Sequence, residues 1–282
     1  MAEVSHIMTC DLEDWYHPSL VGAPFEKWER YESRIETITD FILNLFQETN
    51  THATFFVLGY VAEHFPDVIE KIASRGHEIA SHSYRHQLVY NMTPEEFQKD
   101  TEKAVSILKE ITGKSPKGYR APSWSTSVHL NWYWEILKNL GFEYDSSLYP
   151  YKTFLYGDNS NPRTPYKIEK YGLFEIPPSV GEIFGKRIPY SGGFFLRVLP
   201  SFFINAFIHQ YDRLRSPAVL YFHPWELDPG IPRQKLGFKN NFITYVNIGR
   251  FQKKIRKLTQ KYHFVSMEHF LKNDVKNESY SI

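Results

Sequence analysis

Cysteine is almost missing from this chain of 282 residues: Cys10 stands alone. That excludes an internal disulfide framework, and without a CxxC pair there is no thiolate zinc site. Long apolar runs are missing too. The longest, such as ATFFVLGYVA at 53–62, fall well short of the ~20 residues that a membrane-spanning helix needs. A surplus of one charge is also absent: 33 Lys+Arg face 32 Asp+Glu, so the basic excess of a non-specific nucleic-acid binder is not there. The start, MAEVSHIMTCDLEDWYH, has no basic n-region and no apolar h-region and does not look like a signal peptide. The expectation is a soluble, cytoplasmic protein with no nucleic-acid partner. Repeats and low-complexity tracts are lacking as well, and a charged fraction of 23% excludes a disordered chain. What is abundant is aromatic: 6 Trp, 19 Tyr and 22 Phe. Most should pack the core, but such rings also line sugar sites, where C–H faces lie on them.

Short apolar runs alternate with amphipathic segments, the pattern of parallel strands and crossover helices. Strands are expected at 4–10, 53–58, 77–80, 117–120, 142–145 and 218–222, with a last one in HFVSM. Helices are expected at 30–49, 60–74, 128–140, 194–214 and 245–261. The clearest runs from Thr93 to Gly113, with Pro94 at its first position and Glu96 three residues after the Thr93 cap. In the basic segment 245–261, Ile248, Phe251, Ile255 and Leu258 keep helical spacing, which makes it an outer helix rather than a membrane or nucleic-acid surface. Residues 150–193 read as an irregular insertion with one strand at 173–176. The fold expected is a single α/β domain over 1–282, a distorted (β/α) barrel of about seven parallel strands.

Ionisable residues gather where predicted strands end: Asp11-Leu-Glu13-Asp14, His82-Ser-Tyr-Arg-His86, Arg120-Ala-Pro, Asp145-Ser-Ser and His223-Pro-Trp-Glu226. In parallel α/β folds the carboxyl ends of strands converge on one face and build the site there. His82 and His86 are spaced i, i+4, which on a helical turn sets both imidazoles on one side. With a carboxylate they could hold one cation and leave positions open for water and substrate.

Five segments in this order, TCDLEDWYH (9–17), SHSYRH (81–86), RAPSWS (120–125), YDSSLYP (144–150) and LYFHPWELDP (220–229), resemble the NodB-homology polysaccharide deacetylases, carbohydrate esterase family 4. SGGFFLRVLP (191–200) is similar to the branch found in exopolysaccharide and O-antigen clusters, including the exosortase-associated deacetylases. The resemblance implies a metal-dependent hydrolase that removes an N-acetyl group from a sugar of a surface glycan or its precursor. The substrate would be an N-acetylated glycan, a lipid-linked sugar or a nucleotide sugar. It implies Asp11 as general base, Arg120 as its partner, His82 and His86 as ligands of one divalent metal, most simply Zn2+, and His223 as the acid that protonates the leaving amine. Pro122 and Trp124 would shape the groove wall, and Leu220 the pocket for the acetyl methyl.

The sequence departs from the family at one point. Leu12 follows Asp11 where a second aspartate is usual, so the metal carboxylate must be Glu13 or Asp14. Side chains alternate along a strand, which puts Glu13 on the side of Asp11 and favours it; Asp14 is the rival. Asp145 could orient His223 or a ligand histidine, or could form an Asx-type turn. Trp225, Glu226 and Asp228 could contact sugar hydroxyls or anchor their own loop. Cys10 reads as a buried structural thiol. Two other readings are a cyclic amide or ureide hydrolase of the allantoinase-like branch and a carbohydrate-binding relative without activity.

Overall fold

The computed structural model describes residues 4–19, 21–153 and 156–275. In chain order its main elements are β1 His6–Leu12, α1 Ile35–Glu48, β2 Ala53–Val57, α2 Gly59–His64, α3 Pro66–Ser74, β3 Glu78–Ser81, α4 Pro94–Thr112, β4 Gly118–Tyr119, α5 Asn131–Asn139 and β5 Tyr144–Asp145. There follow β6 Tyr166–Ile168, β7 Leu173–Glu175, β8 Val180–Ile183, β9 Lys186–Pro189, α6 Gly193–Val198, α7 Ser201–Leu214, β10 Val219–Phe222, α8 Phe238–Tyr245, α9 Ile248–Lys261, β11 Phe264–Val265 and α10 Met267–Phe270.

Strands order as β10-β1-β2-β3-β4-β5-β7, each parallel to its neighbour, with β6 antiparallel at the edge and β11 beside the start of β1. This is the expected α/β barrel of seven parallel strands, and its distortion lies where it closes. No strand bridges β7 to β10 among the described residues. Instead Ser179 N donates to Val219 O, and Tyr221 N to Ser191 O. Gly192 lies alongside Tyr221, so close that a Cβ there would meet the Tyr221 ring at 2.3 Å.

Alternation along the strands divides the interior. Met8, Cys10, Leu12, Phe55, Val57, Leu220 and Phe222 face outward into the core shared with α1, α7 and α9. Ile7, Phe56, Ala80, Tyr144, Ile176 and Val219 fill the barrel itself. Asp11 continues the inward row of β1, beyond this apolar filling, at the carboxyl end. Helix α4 carries the predicted capping box: Glu96 N donates to Thr93 Oγ1 and Thr93 N to Glu96 Oε2, and Gly113 closes it at φ +71°. Such a cap stabilises by about 1 kcal/mol.

The differences from the sequence reading have local causes. β1 runs on to Leu12, because the charge of Asp11 is met inside the barrel. The helix expected at 60–74 breaks at Phe65, since Pro66 disfavours a helical residue before it and opens α3 instead. Pro200 divides 194–214 in the same way. Segment 150–193 holds four strands where one was expected. β8 and β9 pair across Phe184-Gly185, both at positive φ (50° and 73°), a turn that Phe at its first position hides from sequence reading.

Candidate active site

Arg120 follows β4 directly and is fully buried. Its Nη1 donates to Asp11 Oδ1 (2.5 Å) and Thr9 Oγ1 (2.9 Å), its Nη2 to Ser146 Oγ (2.9 Å) and its Nε to Ser146 O (3.3 Å). The guanidinium sits 4.0 Å over the Phe56 ring. A charge this deep is tolerable only when paired and hydrogen-bonded on all sides. The Asp11 carboxylate is therefore held in one direction.

At the end of β1, Glu13 N donates to Asp11 O (2.8 Å), a tight turn that rolls the chain over. Glu13 Oε1 then lies 3.1 Å from Nε2 of both His82 and His86. These histidines do not share a helical turn, contrary to the reading of their spacing. Ser83 and His86 take positive φ (64° and 54°), and His86 N donates to Ser83 Oγ; the loop folds back and brings both rings to Glu13. His82 Nδ1 donates to Arg120 O (2.7 Å), and its Nε2 shares a hydrogen bond with Glu13 Oε1 (3.1 Å). A cation in place of the shared proton would take a lone pair from each. Burial alone would raise the Glu13 carboxyl, but the His86 charge and hydrogen bonds from both histidines outweigh it and hold it well below the usual range. The three ligand atoms lie within 4.8 Å of one another, and a carboxylate with two imidazoles suits a divalent ion with open positions. Asp14 is turned elsewhere: it accepts from Ser33 Oγ (2.6 Å), Arg34 N (2.9 Å) and Trp15 N (2.8 Å) and anchors the chain entering α1.

Opposite Arg120, His223 ends β10. Its Nδ1 bonds Glu226 Oε2 (3.0 Å), and its Nε2 lies 3.9 Å from Asp11 Oδ2. Glu226 Oε1 accepts from Arg197 Nε (2.8 Å), and Arg197 also donates to the carbonyls of Ile243, Thr244 and Val246. Burial would depress the His223 imidazole, but its bond to Glu226 and the charges of Glu13, Glu226 and Asp11 push it up to about 9. Glu226, read from sequence as a sugar contact or loop anchor, is thus the residue that holds His223. Asp228 does anchor its loop, through Arg34. Arg197 carries no local signal, because its partner lies far along the chain.

Above this floor opens a cavity of about 930 Å³ lined by Asp11, Glu13, His82, His86, Trp124 and His223, and by Tyr151, Tyr156 and Tyr221. Trp124, at φ +49°, packs on Tyr149, Tyr156 and Tyr221 at 4.7–5.2 Å between ring centroids. Three expectations fail here. Leu220 is not in the cavity: it pairs with Met8 on the outward face, and the period of two presents Tyr221 inward instead. Pro122 is buried and does not line the cavity; it opens the 3-10 turn that presents Trp124. Asp145 does not orient His223. It accepts from Tyr133 Oη (2.7 Å) and Ser147 N (3.0 Å), the Asx-type alternative, and shares a hydrogen bond with Glu175, whose carboxyl burial and Asp145 raise well above the usual range. Cys10 is buried on the outward face of β1, away from the cavity.

Residues 26–144 match the polysaccharide deacetylase family, and residues 146–272 match a domain of unknown function (DUF3473). A peptidoglycan deacetylase of Helicobacter pylori is 37% identical over 107 residues, 38% of this chain and 36% of that protein. The chain spans about a third of the length of the curated relatives it matches. A crystal structure from Mycobacterium smegmatis, described as of a polysaccharide deacetylase, superposes with a TM-score of 0.64 at 22% identity, covering 98% of this chain and 93% of that one. That of Puue allantoinase does so with 0.62 at 16%, covering 99% and 93%. The two matched stretches meet at β5 and share one sheet. Residues 26–144 thus match the polysaccharide deacetylase family, and the whole chain shares the fold of solved proteins described as such, in support of the NodB-homology, carbohydrate esterase family 4 resemblance.

Proposed function

We propose that this protein hydrolyses the N-acetyl group of an N-acetylated sugar in a surface glycan or its precursor, releasing acetate and a free amine. The observation that carries this is the placing of Asp11 between two cations: Arg120 at 2.5 Å on one oxygen and His223 at 3.9 Å on the other, with Glu13, His82 and His86 alongside.

Glu13, His82 and His86 would hold a divalent ion, most simply Zn2+, which supplies Lewis acidity toward the amide oxygen and water. Asp11, oriented by Arg120, takes the proton of the attacking water. Water oxygen bonds to the carbonyl carbon, and a tetrahedral carbon forms. An amine leaves poorly until its nitrogen is protonated. His223, with Nδ1 fixed on Glu226, gives the proton from Nε2; the C–N bond breaks, and acetate and the amine depart. Trp124, Tyr156 and Tyr221 offer ring faces to a sugar.

The likeness to an allantoinase is one of fold. The cavity, about 930 Å³ and walled by rings, suits a sugar better than a small ureide ring. One assay decides: acetate release from N-acetylated chito-oligosaccharides, with and without chelator. Chelator-sensitive acetate release is expected. Ring opening of a cyclic ureide without acetate release would establish the hydrolase reading of the other branch, and neither product would leave a binding protein.

A further inference from the structure

The charge balance of the whole chain hides a strong polarity. Residues 183–211 and 229–267 contain no Asp or Glu and carry twelve Lys or Arg; the rest holds 21 Lys or Arg against 32 Asp or Glu. Both acid-free stretches meet at one rim of the cavity. From the first, Phe194 and Phe195 of α6 line it; from the second, Lys239, Asn240, Ile243 and Thr244 of α8 do. Phe194 and Phe242 join the two, their ring centroids 6.0 Å apart.

Helix α8 is poorly covered. Thr244 is its only buried residue. Phe238 and Phe242, one turn apart, are 93% and 54% exposed. Lys235 stands exposed just before them, and Arg233 lies over the Tyr245 ring. Phenylalanines one turn apart and open to water, in a segment free of carboxylates, are the combination that seats a helix in an anionic lipid interface: the rings enter the acyl boundary and the lysines meet the headgroups. A soluble polyanion would account for the cations but not for the phenylalanines. No helix among the described residues is long and apolar enough to cross a membrane.

We propose that α8 and the adjoining rim dock on an anionic bilayer, and that the cavity thereby faces a glycan still attached to lipid. The identity of the docked substrate rests on the deacetylase reading; the docking itself does not.

The test is co-sedimentation of the full chain with phosphatidylcholine vesicles, with and without phosphatidylglycerol. The wild type should sediment only with the anionic vesicles and should be released by high salt. Phe238→Ser/Lys235→Glu changes only exposed side chains outside the cavity lining. It should lose at least ~10-fold in vesicle partitioning and keep its acetate release from a soluble chito-oligosaccharide. No sedimentation with phosphatidylglycerol would overturn the proposal, as would equal sedimentation of the variant. A dimer in sedimentation velocity that the variant dissociates, without vesicle binding, would show that a second copy covers the face and would also overturn it. A protein that docks but releases no acetate from any glycan would sink the deacetylase reading and leave docking standing; the reverse result separates the two in the other direction.

Discussion

Two carboxylate–cation pairs sit on opposite sides of the cavity floor with their roles exchanged. In Arg120–Asp11 the carboxylate is the reacting group of the proposed chemistry and the cation positions it. In His223–Glu226 the cation reacts and the carboxylate positions it. The first pair is assembled from β1 and the end of β4, over a sequence separation of 109 residues, and is fully buried. The second is built within one 3-10 turn, Pro224–Leu227, and only its Arg197 support comes from afar. A distant pair depends on the barrel being formed; a local one depends on the turn and can be tuned by a single residue. In the proposed chemistry the same electrostatics would give a fixed base on one side and an adjustable acid on the other.

The largest effects are expected at the fixed side. Asp11→Asn should keep the fold and metal content but lose turnover on the order of 10²–10⁴. Near-full activity would make Asp11 structural. Arg120→Ala strands a buried carboxylate and should destabilise by about 3–5 kcal/mol, read as a fall in the urea midpoint; Asp11→Asn also unpairs a buried charge but keeps an oxygen that accepts from Arg120, so its fall should be smaller. An unchanged midpoint in Arg120→Ala would show that the pair does not hold the barrel together.

Next comes the cation site between the two pairs. His82→Ala/His86→Ala should leave no divalent metal by elemental analysis. Glu13→Gln should weaken metal binding by ~10-fold or more, while Asp14→Asn should leave it intact and instead lower stability by about 1 kcal/mol through its lost anchoring of Ser33 and Arg34. Exchanged outcomes for these two acids would move the metal carboxylate to Asp14.

These experiments also probe what sequence can carry. The barrel was legible because buried parallel strands and crossover helices each have their own periodicity, and because Gly113 and the Thr93 box mark helix ends. The clusters at Asp11, His82, His86, Arg120 and His223 were legible because strand ends in parallel sheets converge; Asp11, His82, His86 and His223 line one cavity, and Arg120 is buried against Asp11. The i, i+4 argument for the histidines reached the right juxtaposition by the wrong geometry, since positive φ at Ser83 and His86 is not written in a spacing. Leu220 was misplaced because the inward face of β10 is fixed by its register with β1, Thr9 against Tyr221, and register is a property of two strands. Arg197 was invisible for the same reason: it meets Glu226 only after α6 has packed beneath the loop. Glu226 was in view, three residues past His223 with Pro224 between, a spacing that reads as a capping box as readily as a catalytic support.

On the adjustable side, His223→Ala should cost roughly 10² or more in turnover of an unactivated acetamide but far less on an activated acetyl ester, whose leaving group needs no proton. Equal losses on both substrates would make His223 a structural residue.

The smallest expected effect is the most diagnostic, because it leaves both reacting groups in place. Glu226→Gln keeps size and hydrogen-bonding capacity but removes the charge that lifts His223 to about 9. Its imidazole should then titrate closer to the ordinary value of about 6.5. The acid must be protonated to work, so the alkaline limb of the acetamide reaction should move down with it. Above neutral pH the loss should be on the order of 10-fold, and at slightly acid pH little should change. Stability follows the same sign. A histidine whose folded value is raised contributes fully below its unfolded value near ~6.5 and loses that contribution as pH rises through about 9, so the gap in urea midpoint between wild type and variant should narrow from pH 6 to pH 10, down to the pH-independent cost of unpairing Arg197. Titrating the His223 ring by NMR in metal-free protein separates this from metal effects. If the ring titrates at one pH in both proteins, Glu226 only caps its turn, and the elevation of His223 must come from Asp11 and Glu13 instead.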